Sequence, residues 1–95
     1  MTLEELRKHR ERIASLAGRY GACNVRVFGS VARGDAGSGS DVDLLVDFEP
    51  GRSLLDLSGL WLDLESELGC KVDVVSGRGL HPRLAGELLR DAIPL

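Results

Sequence analysis

Apolar residues recur along the chain with two periods, one typical of helices and one typical of strands. Three segments show helical spacing of their apolar positions: Thr2–Tyr20, Ser53 to about Leu68, and a segment that opens at His81 and Pro82. Three others are short, apolar and rich in β-branched residues: Cys23–Phe28, Asp41–Phe48 and Cys70–Val75. A helical turn over Ser30–Arg33 and a loop rich in Gly and Ser join the first two of these strands.

This order of elements predicts an α+β fold in which helices pack on a small mixed sheet of three or slightly more strands. Each helix carries an apolar stripe, and such a stripe has to be buried against another element. The chain has 95 residues, which predicts a single domain over residues 1–95 with no second core. A domain of this size is only marginally stable alone, so a partner chain or a homo-oligomer is a reasonable expectation.

The helix predicted after Ser53 is the most apolar of the three. Its main stripe consists of Leu54, Leu57, Trp61, Leu64 and Leu68. Leu55 and Leu62 lie off that stripe. They either form an exposed apolar edge for a partner helix or indicate a helix that is buried on more than one side. The sequence alone leaves both interpretations open.

Two aspartates open the second predicted strand. Asp41 and Asp43 are two residues apart, so their side chains leave the same face of the strand, about 6.6 Å from each other along it. Carboxylates placed in this way can reach a shared pair of metal ions, which lie about 3.5–4 Å apart in phosphoryl-transfer sites. Mg²⁺ suits such ligands, because it binds through one or two carboxylates plus substrate phosphates. An Asp-x-Asp pair taken alone is more often a solvated strand edge.

A third carboxylate can complete this site. Asp73 is the only acidic residue of the third predicted strand, and its parity sets it on the face opposite Val72 and Val74. On a neighbouring strand it would lie about 4.8 Å across from the aspartate pair. Asp73 is therefore a candidate third metal ligand, a candidate general base for an attacking hydroxyl, or both.

The turn after the first strand can hold a phosphate. Gly29 has no Cβ, so backbone amides can approach a phosphate there, and Ser30 can donate its hydroxyl at the start of a helical turn. Arg33 either adds a cation for the phosphates or pairs with an aspartate and fixes the loop. Ser40, directly before Asp41, either hydrogen-bonds the acidic cluster or solvates the loop.

Charge and hydropathy restrict the partners and the location. The formal net charge is −3, which argues against tight binding to a nucleic-acid backbone, because such binding needs a basic face. No apolar run approaches the ~20 residues of a membrane span. The N-terminus is charged, unlike a secretory signal. We therefore expect a cytoplasmic protein without membrane contact or direct nucleic-acid binding.

The sequence G-S-V-A-R-G at 29–34, S-D-V-D-L-L-V at 40–46 and K-V-D-V-V at 71–75 resembles the DNA polymerase β-like nucleotidyltransferase superfamily. The size of the chain resembles its minimal nucleotidyltransferase (MNT) branch, and the resemblance covers nearly the whole chain in element order. It implies a polymerase β-type core, with Gly29 and Ser30 on the nucleotide phosphates. It also implies that Asp41, Asp43 and Asp73 are catalytic metal ligands for Mg²⁺, with two ions expected, and that ATP or another nucleoside triphosphate releases pyrophosphate.

Members of this branch act as antitoxins that adenylylate a tyrosine of a HEPN-domain RNase toxin. The resemblance thus implies transfer of AMP from ATP to a hydroxyl of a HEPN toxin partner. Two alternatives are an antitoxin that neutralises its partner by binding alone and a transferase that modifies a small molecule. Val31 stands where many relatives carry a basic or polar residue, which leaves Arg33 as the only cation of the loop. No second domain is predicted to hold the base or the acceptor. Selection of the base and binding of the acceptor are therefore both expected to need a partner chain.

Overall fold

The computed structural model describes residues 1–34, 41–77, 90 and 92–95 of the chain. Its helices are α1 (Leu3–Lys8), α2 (Arg10–Arg19), α3 (Gly29–Arg33) and α4 (Leu54–Leu68). Its strands are β1 (Ala22–Phe28), β2 (Val42–Phe48), β3 (Val72–Ser76) and β4 (Ile93–Pro94). The sheet has the order β3-β2-β1-β4, with β2 and β3 parallel and the other neighbours antiparallel. The predicted α+β fold with a small mixed sheet is thus confirmed.

The hydrophobic core lies between one face of the sheet and the helices α2 and α4. On β2, alternation sends Val42, Leu44 and Val46 to this face, and all three are fully buried. Leu60 and Leu64 of α4 meet them from the opposite side. Because this face of β2 is apolar, the aspartates of the same strand are directed to the other face of the sheet. No helix of the described part is long and apolar enough to cross a membrane.

The N-terminal helix is broken where the sequence predicted one helix over Thr2–Tyr20. His9 separates α1 from α2, and its amide donates to the carbonyl of Leu6 rather than one residue further back. Leu6 and Ile13 are both buried, but the six residues between them are all polar. No apolar side chain between Leu6 and Ile13 therefore packs on the core. The break at His9 allows both of these residues to reach the core.

Helix α4 starts with the predicted capping box, in which Ser53 and Asp56 cap each other's backbone. Leu60, Leu64 and Leu68 form its buried side. Leu54 was predicted on that stripe but is 74% exposed. Leu55 and Leu62 are 82% and 67% exposed, so of the two open interpretations the exposed apolar edge is the one that the structure has.

The end of the chain differs from the prediction. The last predicted helix, which opens at His81 and Pro82, lies outside the described residues. Pro94 was expected to end that helix, but it belongs to β4, which pairs with Arg26 and Val27 of β1. Proline is tolerated here because β4 is an edge strand, where a missing amide breaks no ladder hydrogen bond on the outer side.

Candidate active site

Three adjacent strands bring the central carboxylate of the site into position. Asp43 lies on β2, with Phe28 of β1 as its partner on one side and Asp73 of β3 on the other. Because Asp43 and Asp73 are partners in a parallel pair, their side chains leave the same face of the sheet, on strands about 4.8 Å apart. The parity argument for Asp73 thus agrees with the register. Asp43 is half-buried and Asp73 is exposed.

Gly29 forms the wall of the site next to Asp43. It follows the last residue of β1 and adopts a φ of +73°, a left-handed conformation that side chains other than glycine rarely adopt. A Cβ at this position would collide with Oδ2 of Asp43. The sequence interpretation assigned Gly29 to close approach of a phosphate. The structure adds a second reason, since the missing Cβ is also the space that the Asp43 carboxylate occupies.

Burial and negative charge combine at Asp43. Burial is the largest cause that raises the pKa of Asp43, and the neighbouring charges of Asp73 and Asp41 raise it further. The positive charge of Arg33 acts on the same pKa in the opposite direction. The site therefore concentrates negative charge that nearby cations only partly offset, which is the electrostatic condition that favours binding of a cation.

The remaining predicted site residues are placed around this pair. Asp41 is exposed and directly precedes β2, on the same side as Asp43 by alternation. Ser30 is half-buried and Arg33 exposed, both on α3, the predicted helical turn, which ends at Gly34 in a left-handed conformation. Ser40 lies outside the described residues, so the two roles considered for it stay open. Arg33 influences Asp43 electrostatically, and this is compatible with both roles considered for Arg33.

The donor set fits Mg²⁺ as far as the described residues extend. Among them, no three acidic, histidine or cysteine side chains form a group that could by itself hold a metal ion. Two carboxylates on adjacent strands, Asp43 and Asp73, with Asp41 close enough to affect the same pKa, nonetheless suit an ion that takes one or two carboxylates and completes its shell with water and phosphate. All these donors are the hard oxygens that Mg²⁺ prefers.

Asp47 was interpreted as a surface residue beyond the site, but the structure gives it a different environment. It is half-buried on the same face as Asp43, and its Oδ1 lies 3.0 Å from Nη2 of Arg26. The amide of Asn24 donates to its other oxygen at 2.9 Å. The sequence shows only that Asp47 shares the parity of Asp43 and that Arg26 shares the parity of Phe28. Parity alone does not determine which acidic side chain pairs with which basic one.

Two clefts of the described part lie away from these carboxylates. One of about 330 Å³ runs between α2 and β1, and its lining residues include no acidic side chain. Another of about 390 Å³ lies at the start of α4, beside the turn at Pro50 and Gly51. Neither contains Asp43 or Asp73, so the chemistry of the site, rather than cavity size, identifies the candidate active site.

Comparison with known proteins agrees with this geometry. The family model described as a nucleotidyltransferase domain matches residues 6–94. Protein adenylyltransferase MntA of Thermococcus cleftensis is 39% identical over 97 residues, which cover 98% of this chain and 95% of that protein. The chain therefore belongs to the nucleotidyltransferase domain family, as the sequence motifs predicted, and the prediction that it is a nucleotidyltransferase is confirmed.

Two solved structures extend the comparison to three dimensions. One, described provisionally as a minimal nucleotidyltransferase, is 61% identical with a TM-score of 0.89 and covers 100% of this chain and 97% of its own. The other, a toxin–antitoxin with AMP-PNP, has a TM-score of 0.77 at 22% identity and covers 88% of this chain and 69% of its own. At that identity the second likeness concerns the fold alone.

Proposed function

We propose that this chain is a Mg²⁺-dependent protein adenylyltransferase that transfers AMP from ATP to a hydroxyl, a tyrosine, of a HEPN-domain toxin and so acts as a cytoplasmic antitoxin. The observation that carries this proposal is the pairing of Asp43 with Asp73 on adjacent parallel strands, beside a glycine whose missing Cβ makes room for the carboxylate. The roles of individual residues below are part of the same proposal.

Asp41, Asp43 and Asp73 would hold Mg²⁺. The ion would neutralise the negative charge that develops on the phosphates. Asp43 is the central ligand, because it is half-buried and both other carboxylates raise its pKa. Ser30 donates its hydroxyl to a phosphate oxygen, together with amides of the turn after Gly29. Arg33 either pairs with a phosphate or keeps the acidic cluster in place.

The acceptor reacts on the exposed side of the site. Its hydroxyl oxygen forms a bond to the α-phosphorus of ATP. The bond between that phosphorus and the oxygen that bridges it to the β-phosphorus breaks. Pyrophosphate leaves, and the hydroxyl proton passes to Asp73, which is exposed and therefore accessible to the acceptor. Positioning and electrostatic stabilisation of phosphate charge provide most of the rate enhancement in reactions of this class.

Relatives support the choice of nucleotide and acceptor. The Thermococcus cleftensis relative is named a protein adenylyltransferase and matches over nearly its full length. A neighbour with the same fold is a toxin–antitoxin with AMP-PNP, an ATP analogue.

Transfer of label from ATP tests the proposal. The purified chain is incubated with its toxin partner, Mg²⁺ and ATP labelled on the α-phosphate, and the toxin is examined by mass spectrometry for added AMP. The native chain should label the toxin on a tyrosine. The Asp43→Asn variant should label it at least about 100-fold more slowly, the size of effect seen when one element of electrostatic stabilisation is removed.

Asp47→Asn is the matched control, because Asp47 lies on the same strand and face as Asp43 but four residues along, next to Arg26. It should retain activity within a few-fold, and ATP labelled on the γ-phosphate should leave the toxin unlabelled. Undiminished labelling by Asp43→Asn would contradict the mechanism. Neutralisation of the toxin without ATP, unchanged by Asp43→Asn, would instead support an antitoxin that acts by binding alone.

A further inference from the structure

The face of the sheet that carries the three aspartates also carries a cation that the proposed mechanism does not use. Lys71 directly precedes β3, and its carbonyl accepts from the amide of Val42 at 3.1 Å. The parallel register of Val42 with Val72 therefore continues back by one residue, and it sets Lys71 opposite Asp41. By alternation Lys71 lies on the same face as Asp73, two residues or about 6.6 Å away from it along the chain.

The charge of Lys71 is available to a ligand. Lys71 is exposed, so its ammonium group is accessible from solvent. The ion pairs between described residues use other cations, among them Arg12, Arg19, Arg26 and Arg52, and none of these pairs includes Lys71. A molecule that enters the site therefore meets this positive charge without having to displace a carboxylate of the described part of the chain.

Lys71 and Arg33 lie on opposite sides of the aspartates. Arg33 belongs to α3, which follows β1, and its positive charge acts on the pKa of Asp43. Lys71 precedes β3, an edge strand of the sheet, and is not among the charges that act on that pKa. The β1 side thus has the turn at Gly29 together with Arg33, and the β3 side has Asp73 together with Lys71.

The direction of attack decides which reactant Lys71 meets. In phosphoryl transfer the attacking and the leaving oxygens lie roughly in line, on opposite sides of the phosphorus. In the proposed function the phosphates are held at Gly29 and Ser30 on the β1 side, so pyrophosphate leaves toward that side. The acceptor hydroxyl then attacks from the β3 side, where Asp73 and Lys71 lie.

We propose that the ammonium group of Lys71 donates a hydrogen bond to the oxygen of the acceptor hydroxyl and stabilises the negative charge that develops there. This inference rests on the proposed function and adds a catalytic residue to it. The hydroxyl proton passes to Asp73, the oxygen bonds to the α-phosphorus, and pyrophosphate leaves with the electron pair of the broken bond. Lys71 keeps its proton throughout, and its flexible four-carbon stem allows the charge to follow the acceptor.

The kinetics of toxin labelling test the proposal. An interaction that strengthens only in the transition state affects kcat rather than KM. Lys71→Gln, which removes the charge, should lower kcat about 10- to 100-fold and leave KM for ATP and for the toxin nearly unchanged. This loss is below the roughly 100- to 1000-fold cost of removing an oxyanion-hole donor, because Lys71 is exposed. Lys71→Arg, which keeps the charge, should recover most of the rate.

Lys8→Gln is the matched control. Lys8 is the other lysine of the chain, and it is exposed on α1, whose Leu6 packs in the core on the opposite face of the sheet. This variant loses the same charge and should label the toxin at the native rate. An equal loss of rate in the Lys8 and Lys71 variants would contradict a specific role of Lys71.

Calorimetry of AMP-PNP binding in the presence of Mg²⁺ gives a readout that does not depend on turnover, and the native chain and Lys71→Gln should bind equally well. Weaker binding by Lys71→Gln would assign Lys71 to the nucleotide and overturn the proposal. A raised KM for the toxin at unchanged kcat would also overturn it, because Lys71 would then contact another part of the acceptor.

The rate of the native chain separates failure of this inference from failure of the proposed function. If the native chain labels the toxin and Lys71→Gln labels it equally fast, only the inference fails. Lys71 would then be a charge that protects the edge strand from pairing with other chains. If the native chain labels no toxin, the proposed function fails and the inference fails with it.

Discussion

Gly29 is subject to two constraints, and a Cβ at this position would violate both of them. Its φ of +73° is strained for any residue with a Cβ, and the carboxylate of Asp43 occupies the space where that Cβ would lie. The first constraint arises from the turn between β1 and α3, and the second from the pairing of β1 with β2. The same residue therefore shapes the turn and sets the position of the central carboxylate.

Replacement of Gly29 by alanine should damage both stability and activity. The left-handed conformation costs an alanine about 1–2 kcal/mol, and the new methyl group displaces Asp43 from its place between Phe28 and Asp73. We expect the Gly29→Ala variant to unfold at a lower denaturant concentration and to lose most of its adenylyltransferase activity. Equilibrium unfolding and the labelling assay measure the two effects separately.

Gly69→Ala provides the matched control at the end of α4. Gly69 has a φ of +67°, and a Cβ there would meet no atom within 4 Å. This variant should show the same strain in unfolding experiments and keep its activity. Equal loss of activity in the two variants would refute a specific role of Gly29 beside Asp43.

The raised pKa of Asp43 gives a second prediction for a single residue. Because the pKa is higher in the folded chain than in the unfolded one, the folded chain binds the proton more tightly, and stability falls as pH rises from the ordinary aspartate pKa through the raised one. Asp43→Asn should therefore raise the melting temperature of the metal-free protein near neutral pH. This gain should disappear at acidic pH, where Asp43 is protonated; a gain of the same size at both pH values would contradict the electrostatic explanation.

Arg26 and Asp47 connect the strands β1 and β2 on the face opposite the core. The Arg26 side chain is only 15% exposed, and its Nη2 lies 3.0 Å from Asp47. This Nη2 donates no well-aligned hydrogen bond to any described residue, so the contact is primarily ionic. A Cβ at Gly77 would collide with Asp47, which shows that the pair also lies against the backbone directly after β3. The ion pair therefore joins β1 to β2 and packs against the backbone at the end of β3.

Removal of Asp47 should destabilise the chain because it leaves Arg26 charged and largely buried. Loss of one partner of a fully buried pair costs about 3–5 kcal/mol, and partial exposure of Asp47 reduces the expected value to about 1–3 kcal/mol for Asp47→Ala. The control is Glu49→Ala, which removes one of the two acidic partners of Arg52 at an exposed position and should destabilise the chain much less than Asp47→Ala does. Equal effects of the two variants in urea unfolding would show that the Arg26 pair has no special role.

Local patterns in the sequence predicted the elements that depend on local rules. Alternation along β2 and β3 predicted that Asp43 and Asp73 share a face, and the capping box at Ser53 predicted the start of α4. Features that depend on distant parts of the chain were not predicted. The break at His9 reflects where the core lies below α1 and α2, and β4 exists because Pro94 meets the outer edge of β1. The ion pair of Arg26 with Asp47 needs the register of two strands, which no local pattern contains.

Binding of nucleotide should stabilise the molecule as a whole, because the proposed site joins β1, β2 and β3, which also carry the core. At a ligand concentration 100 times the dissociation constant, the gain is about 2.7 kcal/mol. For a chain of 95 residues each kcal/mol raises the melting temperature by about 4–8 °C, so Mg²⁺ with AMP-PNP should raise it by at least about 10 °C. In Asp43→Asn the shift should be largely lost, and in the native chain EDTA should reduce it. An undiminished shift in both cases would place the nucleotide away from the three aspartates.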